Sequence, residues 1–134
     1  MIVDAEEAIL GRLSTRVAKM LLKGENVIVI NSDKIVLSGN PNAIFKTYYE
    51  KRKLGDANKG PFYPRYPDRV FKRVVRGMLP YRKSKGRDAL RRLKVFIGNP
   101  DNLKGEKISK TSDDLKCKYV YLGQVCKRLG AKLG

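Results

Sequence analysis

The hydrophobic and polar positions predict an alternating α/β start to this chain. Residues 2–4 have the pattern of a short strand, and the apolar residues between 10 and 23 follow helical spacing. Gly24 is a typical helix C-terminal stop. Residues 27–30 form a continuous run of branched apolar side chains, which is typical of a strand buried on both faces of a parallel sheet. Strand, helix and buried strand together predict a right-handed βαβ unit.

The same pattern predicts further elements along the rest of the chain. Residues 35–37 form a short strand of undecided direction, because the turn at 31–34 is too short for a parallel crossover. The other expected elements are helices at 41–53, 68–78, 88–93 and 122–129, a strand at 95–97 and an extended segment at 119–121. We therefore expect a single domain over 1–134. It has an α/β core at 1–100 with basic loops at 55–67 and 81–87, and a C-terminal loop and short helix at 101–134.

Charge changes this picture of an ordinary α/β domain. The chain has 30 Lys and Arg against 13 Asp and Glu, a formal net charge of +17. The first forty residues are neutral, with five groups of each sign, whereas residues 41–98 hold seventeen basic and four acidic groups. A chain so charged predicts a polyanionic partner, of which nucleic acid is the commonest.

Several classes of protein are excluded by what the sequence lacks. There is no His, which removes His-based triads, metal sites and acid–base chemistry. Cys117 and Cys126 lack zinc-site spacing and fit a reducing cytosol. The sequence contains no Walker A, GxGxxG or GxSxG motif, no apolar run of membrane-spanning length and no signal-peptide pattern. We therefore expect a cytoplasmic protein with no catalytic residues, metal, cofactor, small-molecule substrate or membrane partner.

The predicted helix at 68–78 is the clearest candidate for a nucleic-acid contact. Four basic side chains share one face of it: Arg69, Lys72, Arg73 and Arg76. The opposite face is apolar: Val70, Phe71, Val74, Val75 and Met78. Solvated helix faces normally mix both signs of charge, and only Asp68 supplies an acid here. We interpret this stripe as a nucleic-acid contact rather than a solvated face.

Three other segments offer weaker candidates for RNA contact. On the first helix, Arg12 and Arg16 lead a basic stripe for which a solvated face is an equally good interpretation. The proline-rich segment 55–67 combines side chains that can stack on bases or hold phosphates, namely Lys59, Tyr63, Arg65 and Tyr66. Segment 81–87 is expected to be a flexible loop that orders along phosphates through Tyr81, Arg82, Lys83, Lys85 and Arg87.

Ordered motifs across the chain resemble the large-subunit ribosomal protein thirteen family. The string LGRLS at 10–14 is similar to the opening of that family, and VINSDKI at 29–35 continues the match. The most specific motifs are RGMLP at 76–80 and LKVFIGNP at 93–100. The tail, with YLG at 121–123 and LGAK at 129–132, is similar to the archaeal branch.

The resemblance implies a fold and a function. It implies a three-layer α/β/α domain around a small, mainly parallel, four-stranded sheet. It also implies a structural, non-enzymatic component of the cytoplasmic large ribosomal subunit. Such a component binds large-subunit rRNA directly, joins early in assembly and touches neighbouring large-subunit proteins. Carried onto this sequence, the family motif places Arg76, Gly77, Met78 and Pro80 against rRNA, together with the basic loop that follows.

Two alternatives stay open at this point. One is a stand-alone RNA-binding regulator that also binds protein off the ribosome, and a protein complex that survives RNase treatment would favour it. A metal-dependent nucleic-acid enzyme would cleave labelled RNA in the presence of Mg²⁺, although the carboxylates of this chain are few and scattered.

Overall fold

The computed structural model describes residues 1–53, 66–99, 102–108, 111 and 118–131. The strands are β1 (Ile2–Asp4), β2 (Val27–Ile30), β3 (Val36–Ser38), β4 (Leu93–Val95) and β5 (Tyr119–Tyr121). The helices are α1 (Leu10–Leu22), α2 (Pro41–Lys53), α3 (Pro67–Met78), α4 (Ser84–Arg91) and α5 (Leu122–Arg128), with a 3-10 turn at Ser32–Lys34. The expected mixed α/β class is confirmed, and no helix of the described residues is long and apolar enough to cross a membrane.

A parallel sheet in the order β1-β2-β4 forms the centre of the fold. Val29 of β2 is in register with Val3 on one side and with Val95 on the other. Val27 and Val29 are fully buried, as the branched apolar run predicts. The βαβ unit formed by β1, α1 and β2 is therefore confirmed.

Strand β3 does not belong to this parallel sheet. β3 pairs antiparallel with β5, with Val36 in register with Tyr121. The sheet of the described residues thus has three strands, and the expected fourth belongs to a separate two-stranded sheet. The cause is local, because Asn31 (φ 60°) and the 3-10 turn redirect the chain within a few residues.

Two predicted boundaries near the basic segment are wrong. Residues 84–86, expected in a loop, are the first turn of α4, and β4 lies at Leu93–Val95 rather than 95–97. β4 is fixed by pairing rather than by its own apolar pattern, since Val27 is in register with Leu93. The predicted loop 55–67 falls outside the described residues up to residue 65, and Pro67 already begins α3.

The core lies where α1 packs against α3 and α4. Leu13, Val17 and Leu21 of α1 are fully buried, as are Phe71 and Val75 of α3. The buried face of α3 agrees with the predicted pattern except at its last residue. Met78 is 42% exposed, because the helix ends there and the chain turns away.

The thiol of Cys126 is fully enclosed in this core. Burial raises the pKa of Cys126 to about 12, with a smaller contribution from the charge of Asp68.

In a Cys117→Ser variant, we expect a disulfide reagent at pH 7.5 to modify Cys126 only as fast as the protein opens. The same variant in denaturant serves as the control and reacts fully at once. Rapid, complete modification of the native variant contradicts the burial.

Candidate nucleic-acid interface

Helix α3 presents the basic stripe predicted from the sequence. Pro67 occupies its first turn, and the apolar face is anchored in the core by Phe71. Arg69, Lys72 and Arg76 are exposed, and Arg73 is half-buried. Arg76 lies in the last turn, where a cation is favoured by the helix dipole. The helix therefore holds these cations on one rigid element.

The turn after α3 is held in place by hydrogen bonds. The backbone N–H of Tyr81 donates to the Leu79 carbonyl at 2.7 Å, and that of Lys83 donates to the Pro80 carbonyl at 3.0 Å. The Arg87 guanidinium donates to the Arg82 carbonyl at 3.0 Å. These contacts form within the protein itself, so they hold the backbone of the turn without a contribution from RNA.

Gly86 brings α4 against this turn. A Cβ on Gly86 would lie 2.8 Å from the Tyr81 nitrogen and still closer to the Pro80 carbonyl. Only glycine permits so close an approach of two backbone segments. The turn and the start of α4 thus form one packed unit.

Two grooves flank the aromatic ring at this turn. The Arg76 guanidinium lies over the Tyr81 ring, 3.9 Å from its centroid. The turn groove, about 580 Å³, is lined by Arg73, Arg76, Gly77, Leu79, Pro80, Tyr81, Arg82 and Lys83. The side groove, about 160 Å³, is lined by Lys72, Tyr81, Arg87, Leu90 and Arg91. Tyr81 borders both.

A third groove follows helix α1. This α1 groove, about 890 Å³, is lined by Ile9, Gly11, Arg12, Thr15, Arg16, Lys19, Met20, Lys23, Ser38 and Ile108. The four basic residues among them are exposed along one face of the helix. Thr15 Oγ1 lies 3.7 Å from Met78 Sδ, which connects the α1 groove to the end of α3 beside Gly77.

The three grooves and the exposed face of α3 form what we call the cationic surface. No carboxylate is among the described residues that line the three grooves. Two acids contact residues of this surface. The Asp68 carboxylate accepts the Arg69 backbone N–H, and Asp88 pairs with Arg91 at 3.5 Å, with both side chains exposed. Such an exposed pair neutralises little of the field. The geometry can therefore attract and hold a polyanion.

Carboxylates gather instead in a fourth, acidic groove of about 520 Å³. It is lined by Glu6, Glu7, Asp33, Lys34, Ile97, Gly98, Tyr121, Gly123, Gln124 and Lys127. The Tyr121 hydroxyl donates to Glu7, and this hydrogen bond is the main cause that raises the pKa of Tyr121 to about 12. The described residues contain no cluster of three or more potential metal ligands of the His, Cys, Asp and Glu types.

The structure brings most of the sequence-predicted site residues together. Arg12 and Arg16 line the α1 groove. The 76–83 candidates line the turn groove except Met78, which contacts Thr15 of α1 instead. Tyr66 precedes α3 and is 36% exposed, and Lys85 is exposed on α4. Lys59, Tyr63 and Arg65 lie outside the described residues. Lys19, Lys23 and Arg91 also line the grooves, and the helical spacing of Lys19 and Lys23 after Arg16 is the signal that points to them.

Comparison with known proteins gives a consistent result. The family model described as ribosomal protein L13 matches residues 1–102. Proteins named large ribosomal subunit protein uL13 are similar over nearly the whole chain. That of Methanocaldococcus jannaschii is 48% identical over 98% of both chains. That of Archaeoglobus fulgidus is 47% identical over 96% of this chain and 86% of the relative. This chain belongs to the ribosomal protein L13 family.

Proposed function

We propose that this protein is a structural constituent of the cytoplasmic large ribosomal subunit that binds large-subunit rRNA directly. The cationic surface carries the proposal, since it joins α1, α3 and the 79–83 turn into one area, and no carboxylate is among the described residues that line its grooves. The relatives are named for the large ribosomal subunit, which supports large-subunit rRNA as the polyanion. Neighbouring large-subunit proteins are its other partners.

The mechanism is neutralisation of backbone phosphates by Arg and Lys. Each phosphate contact releases condensed counterions, so binding weakens as salt rises. Arg side chains add geometric selectivity, because a planar guanidinium can bind two phosphate oxygens at once. The carboxylates of the acidic groove repel phosphates. The protein therefore binds RNA through the cationic surface rather than through the acidic groove.

Preorganisation supports an early place in subunit assembly. The hydrogen-bonded turn and its contact with Gly86 fix the cations of the turn groove before RNA arrives. Less conformational entropy is then lost on docking. A domain with its own apolar core and a preformed cationic surface can bind bare rRNA without waiting for a protein partner. No observation on the described residues favours the regulator or the nuclease instead.

Filter binding to purified rRNA tests this function. We expect the protein to bind large-subunit rRNA at least about tenfold more tightly than small-subunit rRNA at physiological salt. We also expect the logarithm of the association constant to fall linearly with the logarithm of salt concentration. Equal affinity for both rRNAs, or binding that ignores salt, contradicts the proposal.

A further inference from the structure

We propose that the stacked pair Arg76–Tyr81 is a binding site for one unpaired RNA base. This inference rests on the proposed function and adds a base contact to the phosphate contacts described above. The pair lies at the end of α3, where it forms part of the wall of the turn groove. The ligand is therefore a nucleotide whose base is free of a duplex and whose phosphates lie among cations.

The geometry of the pair provides a flat surface. The central carbon of the Arg76 guanidinium lies over the Tyr81 ring, 3.9 Å from its centroid. Arg76 is exposed, whereas Tyr81 is half-buried. Unpaired bases in RNA are commonly stacked on guanidinium planes and aromatic rings. The exposed guanidinium of Arg76, supported by the Tyr81 ring beneath it, offers such a plane to a base.

The backbone positions of both residues of the pair are fixed by contacts within the protein. The backbone of Tyr81 is fixed by its hydrogen bond to the Leu79 carbonyl and by the approach of Gly86. Arg76 comes from the last turn of a helix whose other face is in the core. A prepositioned stack loses little entropy when a base docks.

Gly77 leaves the helix backbone uncovered beside the pair. A Cβ at Gly77 would meet no atom of the described residues within 4 Å, and the residue is exposed at the edge of the turn groove. Glycine weakens a helix relative to alanine, and packing among the described residues does not require it here. An open backbone beside the stack leaves room for a sugar or phosphate to come close.

The flanking charges fit a nucleotide rather than an isolated aromatic molecule. Arg73, Arg82 and Lys83 border the same groove as the stacked pair. They can hold the phosphates on either side of a base that rests on Arg76. An acidic peptide would use these charges and would gain little from the planar surface.

Two RNA probes with identical backbones test the inference. One is a twelve-nucleotide oligoadenylate, and the other is the same chain with every base removed. We expect the wild-type protein to bind the first about tenfold more tightly, as stacking of one base contributes. Arg76→Lys keeps the charge but loses the plane, so its preference should fall several-fold while its salt dependence stays unchanged.

Matched variants separate stacking from charge. Arg128→Lys makes the same change at an exposed arginine that also lies over an aromatic ring, that of Phe45, 3.8 Å from its centroid. Arg128 lines none of the three cationic grooves, so this variant should retain the wild-type preference. Tyr81→Phe keeps the ring and should retain it too, whereas Tyr81→Leu should lose it. Thermal unfolding of each variant confirms that it is folded.

The possible outcomes are distinguishable. If the wild type binds both probes equally but with strong salt dependence, or if Arg76→Lys and Arg128→Lys give the same preference, this inference is wrong and the proposed function stands. If neither probe binds in a salt-dependent way, the proposed function itself fails.

Discussion

Replacing Arg69, Lys72, Arg73 and Arg76 together by Ala is expected to lower the affinity for large-subunit rRNA on the order of 100- to 1,000-fold near 0.15 M salt. Each phosphate contact contributes about 0.7–0.9 to the slope of log affinity against log salt. Four lost contacts therefore flatten that slope by about three, and the affinities of variant and wild type converge toward 1 M salt. Filter binding across a salt series measures both effects.

A variant with four other charges removed is the control. Lys34, Lys104, Lys118 and Lys127 are exposed and line none of the three cationic grooves. Their replacement by Ala lowers the net charge equally and should change the affinity far less. Equal losses in the two variants would show that net charge, rather than the face of α3, governs binding.

The second large effect is expected from Gly86→Ala, which should destabilise the fold by about 2–3 kcal/mol. The added Cβ would lie 2.8 Å from the Tyr81 nitrogen and closer still to the Pro80 carbonyl. Both are backbone atoms, so no side chain can rotate away and the whole turn must move. The rRNA affinity should fall as well, because the turn carries Tyr81, Arg82 and Lys83.

Urea denaturation measures this loss, and Gly11→Ala provides the control. Gly11 is also helical, but a Cβ there would meet no described atom within 4 Å. That substitution should leave stability unchanged or raise it by up to about 1 kcal/mol. A Gly86→Ala variant as stable as the wild type contradicts the close packing of turn and helix.

Local patterns predict the first half of this fold well. The unit β1-α1-β2 and the helix α3 each depend on apolar spacing within a short segment, and the structure confirms them. The pairing of β3 with β5 is different. Val36 pairs with Tyr121, which is far away in sequence. Each strand has only three residues, and nothing in the sequence of either one predicts which strand it pairs with.

The basic segment shows a second limit of sequence patterns. Lys85, Gly86 and Arg87 have the composition of a loop, yet they form the start of α4. Gly86 is required by the approach to Pro80, a tertiary contact that no local pattern shows. Composition therefore predicts a loop where the structure has the first turn of a helix.

The sequence predicts the separate basic segments of the candidate site, but it does not predict that they form one continuous surface. Helical spacing identifies the stripe of α3 and that of α1, but it leaves the α1 stripe ambiguous. In the structure, Thr15 of α1 contacts Met78 at the end of α3, so the two basic stripes lie next to each other. Ser38 and Ile108 also line the α1 groove. These residues are distant in sequence, so only the folded chain shows that they share one surface.

Ultraviolet crosslinking of intact large subunits, followed by peptide mass spectrometry, tests most directly whether the cationic surface faces rRNA. We expect rRNA crosslinks within residues 69–87, centred on the turn groove and Tyr81. The peptides that line the acidic groove around Glu6, Asp33 and Gln124 should be crosslinked less. Crosslinks confined to those acidic-groove peptides, with none between 69 and 87, would contradict the proposed mode of binding.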